Sequence, residues 1–181
     1  MSERLELVDC DRRRLDLDTD MSGFDCDCPD LNDFIHNDAL NYTNELLAAT
    51  FVYFHKGVPV AFVSYSNDKI SAAGETLWNR ISRSISNRKR SHAAGYPAVK
   101  IGRLGIDKNF KRLKLGSQIL DFTKAWFITN NKTGCRFITL DAYNQDPVVS
   151  FYKSNGFDFL EKKQDPPKRT VLMHYDLRNI L

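Results

Sequence analysis

From residue 97 onward the chain alternates between two hydrophobic periods, and that alternation limits what it can fold into. An apolar run over 97–106 reads as a strand. Apolar residues at helical spacing follow over about 115–130, CRFITLDA (135–142) reads as a second strand, and a helix covers about 147–155. A short strand then precedes the closing TVLMHYDL. Strands and helices in alternation bury their apolar faces when helices cover a sheet, so the pattern predicts an α/β class with a mixed central β-sheet flanked by helices. Upstream, ERLELV (3–8) alternates like an opening strand. Leu31, Phe34, Ile35, Ala39, Tyr42 and Leu46 fall at helical spacing, with Pro29 marking the entry and Asp30 as the N-cap. TFVYF and VPVAFVSYS, separated by His55-Lys56-Gly57, read as a hairpin. Trp78, Ile81 and Ile85 suggest a short helix with a basic outer face, followed by SNRKRSHAAG. No repeat or low-complexity linker divides the chain, which predicts one domain over residues 1–181 with a basic insertion at about 71–95.

Bulk composition narrows the class further. A chain of 181 residues with 42% hydrophobic and 27% charged residues can build one substantial core. No run approaches the roughly 18 apolar residues that a bilayer span requires, and the polar start MSERLELVDCDRRR lacks a signal-peptide core, so a cytoplasmic protein without membrane attachment is expected. Cys10, Cys26, Cys28 and Cys135 lack metal-site spacing and read as reduced thiols. Asp16, Asp18 and Asp20 imitate the start of a calcium loop, but Met21 stands where that loop needs glycine and Asp27 where it needs its final glutamate. His36, His55, His92 and His174 are scattered, so no metal site and no nucleophilic constellation is expected. The net charge of +3 is uneven. The first forty residues are rich in aspartate, whereas between Glu75 and Asp107 there is no acidic residue, only Arg80, Arg83, Arg88, Lys89, Arg90, Lys100 and Arg103 among the charges. One face suited to anions and another to cations would follow, as would ordinary solvated surface.

The chain also places Lys108, Lys111, Arg112 and Lys114 where a strand hands over to a helix. A helix N-terminus already carries free N–H groups and the positive end of its dipole, so four cations there call for something more negative above them. GxxxxGK[ST] is absent, and Gly102, Gly105 and Gly116 do not have GxGxxG spacing. What remains is a strand, a basic loop and a helix start with Gly116-Ser117, whose backbone N–H groups could cradle a pyrophosphate.

In this segment the sequence resembles the Gcn5-related N-acetyltransferases (GNAT), whose acetyl-CoA-binding motif is a hydrophobic strand, [QR]xxGx[GA] and a helix. The matching residues are Lys111-Arg112-Leu113-Lys114-Leu115-Gly116, preceded by Arg103-Leu104-Gly105-Ile106-Asp107. Lys111 stands where Gln or Arg is usual, and Lys114 where the first glycine is usual. FYKSNGF (151–157) is similar to the family's FYxxxGF signature, and FDCDCPDLNDFI resembles the F-x-C-G-x-x-x-L-N-x-F-L opening of one branch, with Asp27 replacing its glycine.

The resemblance implies an acyl-CoA N-acyltransferase fold and direct attack of an amine on the thioester of acetyl-CoA, with no metal. It assigns the pyrophosphate to Lys111, Arg112, Leu113, Lys114, Leu115, Gly116 and Ser117. The pantetheine arm goes to the backbone of Leu104, Gly105 and Ile106, whose side chains are expected in the core, and an N–H near Ile106 would act as oxyanion donor. Tyr152 is implied as the general acid for the leaving thiolate, against an alternative as a ring packed on the sheet, and Asn144 as a cofactor ligand or a helix cap. A general base is missing, because members with a strong base carry a carboxylate where this chain has Thr139; Asp141, Asp68, Glu75 and Tyr143 are further options. An α-amine titrates near about 7.7–8.0 against about 10.4 for lysine, and so needs less help. The expected function is an acetyl-CoA-dependent N-acetyltransferase acting on a small-molecule, peptide or protein amine. A sharper alternative is a toxin-type enzyme acting on the α-amine of aminoacyl-tRNA, with tRNA bound through the basic 80–90 segment. A non-catalytic CoA- or RNA-binding module on the same fold is the remaining reading. A homodimer is compatible with each.

Overall fold

A computed structural model describes residues 5–70, 95–131, 133–160 and 168–181. The helix and basic run expected over 71–95, including the 80–90 segment and Glu75, lie outside the described residues apart from Gly95. The strands are β1 (Asp11–Arg14), β2 (Ala49–His55), β3 (Val58–Ile70), β4 (Tyr96–Ile106), β5 (Phe137–Tyr143), β6 (Asp158–Phe159) and β7 (Thr170–Asp176). They form one seven-stranded mixed sheet in the order β1-β2-β3-β4-β5-β7-β6. The α/β expectation holds. Two compact units divide the chain: Met1–Ser66 with Ile101–Trp126, and Asn67–Lys100 with Phe127–Leu181.

In the first unit, Lys56 (φ 50) and Gly57 (φ 80) form the left-handed two-residue turn that suits strand twist and joins β2 to β3. The opening strand falls later than the 3–8 expected. Leu7–Asp9 is a 3-10 turn, and Asp11–Arg14 pairs antiparallel with β2. The reason is invisible to hydrophobic alternation: the Arg12 guanidinium lies 3.8 Å from the Phe51 ring centre and 4.2 Å from that of Trp126, so cation–π contact fastens a strand made of charged residues.

The helix expected from Leu31 begins at Pro29 and has three parts: α1 (Pro29–Asp33), a π-helical turn (Phe34–Asp38) and α2 (Ala39–Asn44). Its N-cap is Cys28 rather than Asp30, because Pro29, with no N–H to satisfy, occupies the first helical position. The helix turns Phe34, Ile35 and Ala39 into a core with Phe24, Val52, Phe54 and Phe62. Helix α3 (Leu115–Ile128) buries Leu115, Ile119, Leu120 and Thr123. The Thr123 hydroxyl donates to the Ile119 carbonyl (2.7 Å), which leaves the Tyr65 hydroxyl as donor to Thr123 (2.6 Å).

In the second unit, β5 pairs antiparallel with β7, setting Thr139 opposite His174, and β6 pairs with β7. Arg136 forms two hydrogen bonds to the buried Asp176, at 3.1 and 3.3 Å. Helix α4 (Asp146–Ser154) closes in a Schellman turn: the Phe157 N–H donates to the Tyr152 carbonyl (3.1 Å) across Gly156 at φ 82. Among the described residues no helix is long and apolar enough to cross a membrane.

Gly105 on β4 shows how tightly the first unit is packed. A Cβ there would lie 2.5 Å from Cε1 of Phe62, a ring with no exposed surface. Gly105→Ala should therefore cost about 1–3 kcal/mol through overpacking, read as a lower urea midpoint at unchanged slope.

Candidate active site

The basic loop owes its shape to a buried carboxylate. Asp107, 2% exposed, ends β4 with its N–H donating to the Val60 carbonyl (2.9 Å). Its Oδ1 accepts from the Asn109 N–H (2.9 Å) and Nδ2 (3.0 Å), and its Oδ2 from the Asp25 N–H (3.0 Å). The Lys108 N–H in turn reaches the Asp25 carbonyl (2.8 Å). The segment around residue 25 and the loop after β4 are thus fastened together. Sequence reading did not select Asp107 or Asp25; the signal was an aspartate directly after an apolar strand and two residues before an asparagine, the pattern of a side chain capping its own turn.

Two of the four cations are spent on this fastening. Lys108 pairs with Asp25 and Lys111 with Asp27, each at 2.8 Å. The Lys108 ammonium, with further bonds from the Asp27 N–H and the Asn32 side chain, holds the Asp25 carboxyl well below the usual carboxylate range. Asp25 therefore stabilises the folded loop above the ordinary carboxylate pKa, and that contribution is lost only as pH falls far below it. Part of the acidic opening and the basic loop after β4 meet here. Asp27 stands at φ 58, the left-handed conformation that explains a glycine at this place in similar sequences.

Arg112 and Lys114 have no ion-pair partner among the described residues. Both backbones are left-handed, at φ 66 and φ 60. Left-handed residues beside a helix start turn successive N–H groups toward one point, a concavity for anions. The Gln118 N–H donates to the Lys114 carbonyl (3.1 Å), so Leu115, Gly116 and Ser117 precede the first helical bond. Lys114, where the family motif has its first glycine, stands in the left-handed conformation that glycine adopts most readily. Leu104 and Ile106 are half-exposed, not core as expected, because the strand turns Gly105 onto Phe62 and so carries its neighbours to the other face.

The second unit holds the other candidates. Tyr152 is half-buried on α4, its ring packed edge-on against Phe151 and Phe157, and burial pushes its phenol up to about 12. Asn144 is exposed; its Nδ2 donates to the Lys168 carbonyl (3.0 Å) and its N–H to that of Arg169 (2.9 Å). Thr139 is buried, and its hydroxyl donates to the Asp68 carboxylate. Asp141 pairs with Lys100 at 2.5 Å, and Tyr143 lies under the Arg169 guanidinium. Asp16 and Asp20 cap their own turns through Asp18, Thr19 and Ser22.

The strand order and the loop between β4 and α3 match the α/β expectation and place the basic segment at a strand-to-helix junction. The profile of the acetyltransferase (GNAT) family matches residues 16–157, most of the chain, and the chain belongs to that family. Its enzyme class is that of the N-acetyltransferases that use acetyl-CoA as donor. Among solved structures it is similar to AtaT complexed with acetyl-methionyl-tRNAfMet, at a TM-score of 0.75 and 17% identity over 94% of this chain and 96% of that one. A tyrosine mutant of KacT gives a TM-score of 0.74 at 16% identity, covering 94% and 96%. AtaTR bound with AcCoA gives 0.73 at 18%, covering 96% of each. At such identities the likeness speaks for the fold. No curated protein matches the sequence significantly.

Two outcomes follow. Lys114→Gly should relieve left-handed strain and stabilise the protein by about 1 kcal/mol, seen as a higher melting temperature, while weakening CoA binding a few-fold in a low-salt titration. For Tyr152, the folded chain keeps between pH 10 and 12 a proton that the unfolded chain releases, so stability falls as pH rises through this window, by up to roughly 2–3 kcal/mol. Tyr152→Phe should remove that share of the alkaline loss in urea titrations, leaving the shares of Tyr53 and Tyr65, whose phenols burial also raises.

Proposed function

We propose that this enzyme transfers the acetyl group of acetyl-CoA to the α-amine of an aminoacyl-tRNA. The observation that carries the donor half is the pair of left-handed cations at the start of α3, Arg112 and Lys114, with no ion-pair partner among the described residues. Together with the N–H groups of Leu115, Gly116 and Ser117 they hold the pyrophosphate, and Lys111, tied to Asp27, braces the loop from behind. The half-exposed strip of Leu104 and Ile106 suits a covering pantetheine arm, whose amides pair with the backbone of this strand, and the Ile106 N–H is the oxyanion donor. Asn144 serves the cofactor by fixing the chain before α4 through its bond to Lys168.

Tyr152 supplies the hydrogen to the departing sulfur. With its phenol near 12 and a free thiol near about 8.5, full proton transfer would run uphill by roughly 5 kcal/mol. Burial that raises the phenol raises a neighbouring thiol as well, and a hydrogen bond to the developing thiolate strengthens as charge builds. Tyr152 therefore acts as a fixed donor that stays protonated at every physiological pH.

The acceptor half is supported by chemistry and by likeness. At neutral pH roughly a tenth of an α-amine is unprotonated, against less than a thousandth of a lysine amine. Among the similar structures is AtaT with acetyl-methionyl-tRNAfMet, and the basic residues Arg80 to Arg90 of the sequence suit RNA phosphates. The match of the acetyltransferase family profile over residues 16–157 speaks against the non-catalytic reading.

The test is acetyl-CoA consumption with bulk aminoacyl-tRNA, set against a panel of peptides and small amines. Turnover is expected with the charged tRNA, falling at least about 100-fold in Tyr152→Phe while CoA binding is retained. Acetylation of the panel in preference to tRNA would replace the acceptor, and unchanged turnover in the variant would remove Tyr152 from the mechanism.

A further inference from the structure

In the first unit, helix α2 ends in a strained leucine that the fold leaves in water. Tyr42 and Leu46 close the apolar series at helical spacing, yet they stay 44% and 85% exposed, and Leu47 beside them is 60% exposed. The turn that displays them is a Schellman closure: the Leu47 N–H donates to the Tyr42 carbonyl (2.9 Å) and the Leu46 N–H to that of Thr43 (3.2 Å). This closure needs a left-handed residue where Leu46 stands, and Leu46 supplies it at φ 58. Glycine adopts that conformation freely, whereas a leucine is strained in it. The closure also returns Leu47 to the turn that carries Tyr42, whose ring is fixed edge-on against the buried Phe34 with ring centres 5.6 Å apart. A strained, solvated leucine beside two more exposed apolar side chains calls for a reason outside the fold.

Charge at this helix end has one sign. From Leu15 to His55 the chain contains no lysine or arginine. Asp25 and Asp27 are matched by Lys108 and Lys111, but Asp38, one turn before Tyr42, and Glu45, the C-cap beside Leu46, are exposed without an ion-pair partner among the described residues. Glu45 also sits at the negative end of the helix dipole, where a carboxylate works against the helix. Two rules of local stability are thus broken at one turn, by Leu46 and by Glu45. We propose that this end of α2 is a docking surface for a basic amphipathic segment of a partner protein. The apolar stripe of that segment covers Tyr42, Leu46 and Leu47, and its lysines or arginines meet Asp38 and Glu45. A nucleic acid or an anionic membrane would be repelled by the same carboxylates. A second copy seated symmetrically would set Asp38 and Glu45 against their own counterparts, which like charge opposes. All these residues belong to the first unit, and the inference is independent of the acceptor proposed above.

The probe is a labelled synthetic peptide of about 18 residues with leucines at helical spacing on one face and lysines on the other. Fluorescence anisotropy compares it with a counterpart that carries glutamate in place of every lysine. Wild-type protein should bind the lysine peptide at least about 10-fold more tightly than the glutamate one at low salt, and the difference should shrink as salt rises. Leu46→Gly should weaken binding of the lysine peptide about 10-fold while raising the melting temperature, because glycine relieves the left-handed strain. A leucine with only a structural role would not move binding and stability in opposite directions. Glu45→Gln should weaken binding about three-fold at low salt and leave it nearly unchanged at high salt. Equal binding of the two peptides, or a Leu46→Gly variant within about two-fold of wild type, overturns the proposal. A concentration-dependent dimer in sedimentation that Leu46→Gly dissociates also overturns it, by giving the surface to a second copy of the chain.

Discussion

The loop between β4 and α3 hangs on one buried carboxylate. Asp107 ends an apolar strand, where an unsatisfied charge would be costly, and three donors meet it there: the Asn109 N–H, the Asn109 side chain and the Asp25 N–H. Through the last of these the loop is joined to a segment more than eighty residues away in sequence. Asp25 then collects Lys108, Asn32 and the Asp27 N–H, while Asn32 accepts from the Cys26 N–H (3.0 Å). The result is a closed set of bonds between the entry to the first helix and the start of α3. Surface ion pairs contribute little when isolated. These work by geometry, each adding one more constraint to a turn that Asp107 has already set.

Legibility in the sequence followed the range of the interaction. The hairpin, the strand over 97–106 and the helices near 115 and 147 were readable because period and turn chemistry are local: Lys56-Gly57 suffices to turn β2 into β3. The first strand was misplaced because Arg12 is held by the rings of Phe51 and Trp126, about forty and more than a hundred residues away. The helix start moved to Pro29 because a missing N–H outranked a good capping side chain. In the candidate site, the basic loop was legible as cations before Gly116-Ser117. Which of them are ion-paired was not, since Asp25 and Asp27 claim Lys108 and Lys111 only in the folded chain. Asp68 was one option among several on sequence, and its bond from Thr139 is a tertiary fact.

Proton accounting unites the second unit's residues with the family's chemistry. A phenol raised by burial is a poor acid in isolation, so in the proposed mechanism Tyr152 serves as a donor whose protonation state does not vary, not as one that titrates. The burden of variation then falls on the amine and on whatever accepts its protons. On the proposed function, that division favours an acceptor of modest basicity.

Arg112 and Lys114 show why the fastening has to be strong. A left-handed backbone costs an L-residue about 1–2 kcal/mol, so a loop with two such residues starts at a disadvantage that two glycines would avoid. A charge-assisted hydrogen bond to an anion returns about 1.5–3 kcal/mol, which exceeds the strain at each position, but only while the anion is bound. In its absence, the loop would relax unless something else held it. Asp107, Asp25 and Asp27 supply that hold from the protein side, and so the chain can place side-chain cations where a glycine loop offers only amides. On the proposed function, the strained residues mark the point where the chain exchanges intrinsic stability for attraction to a polyanion.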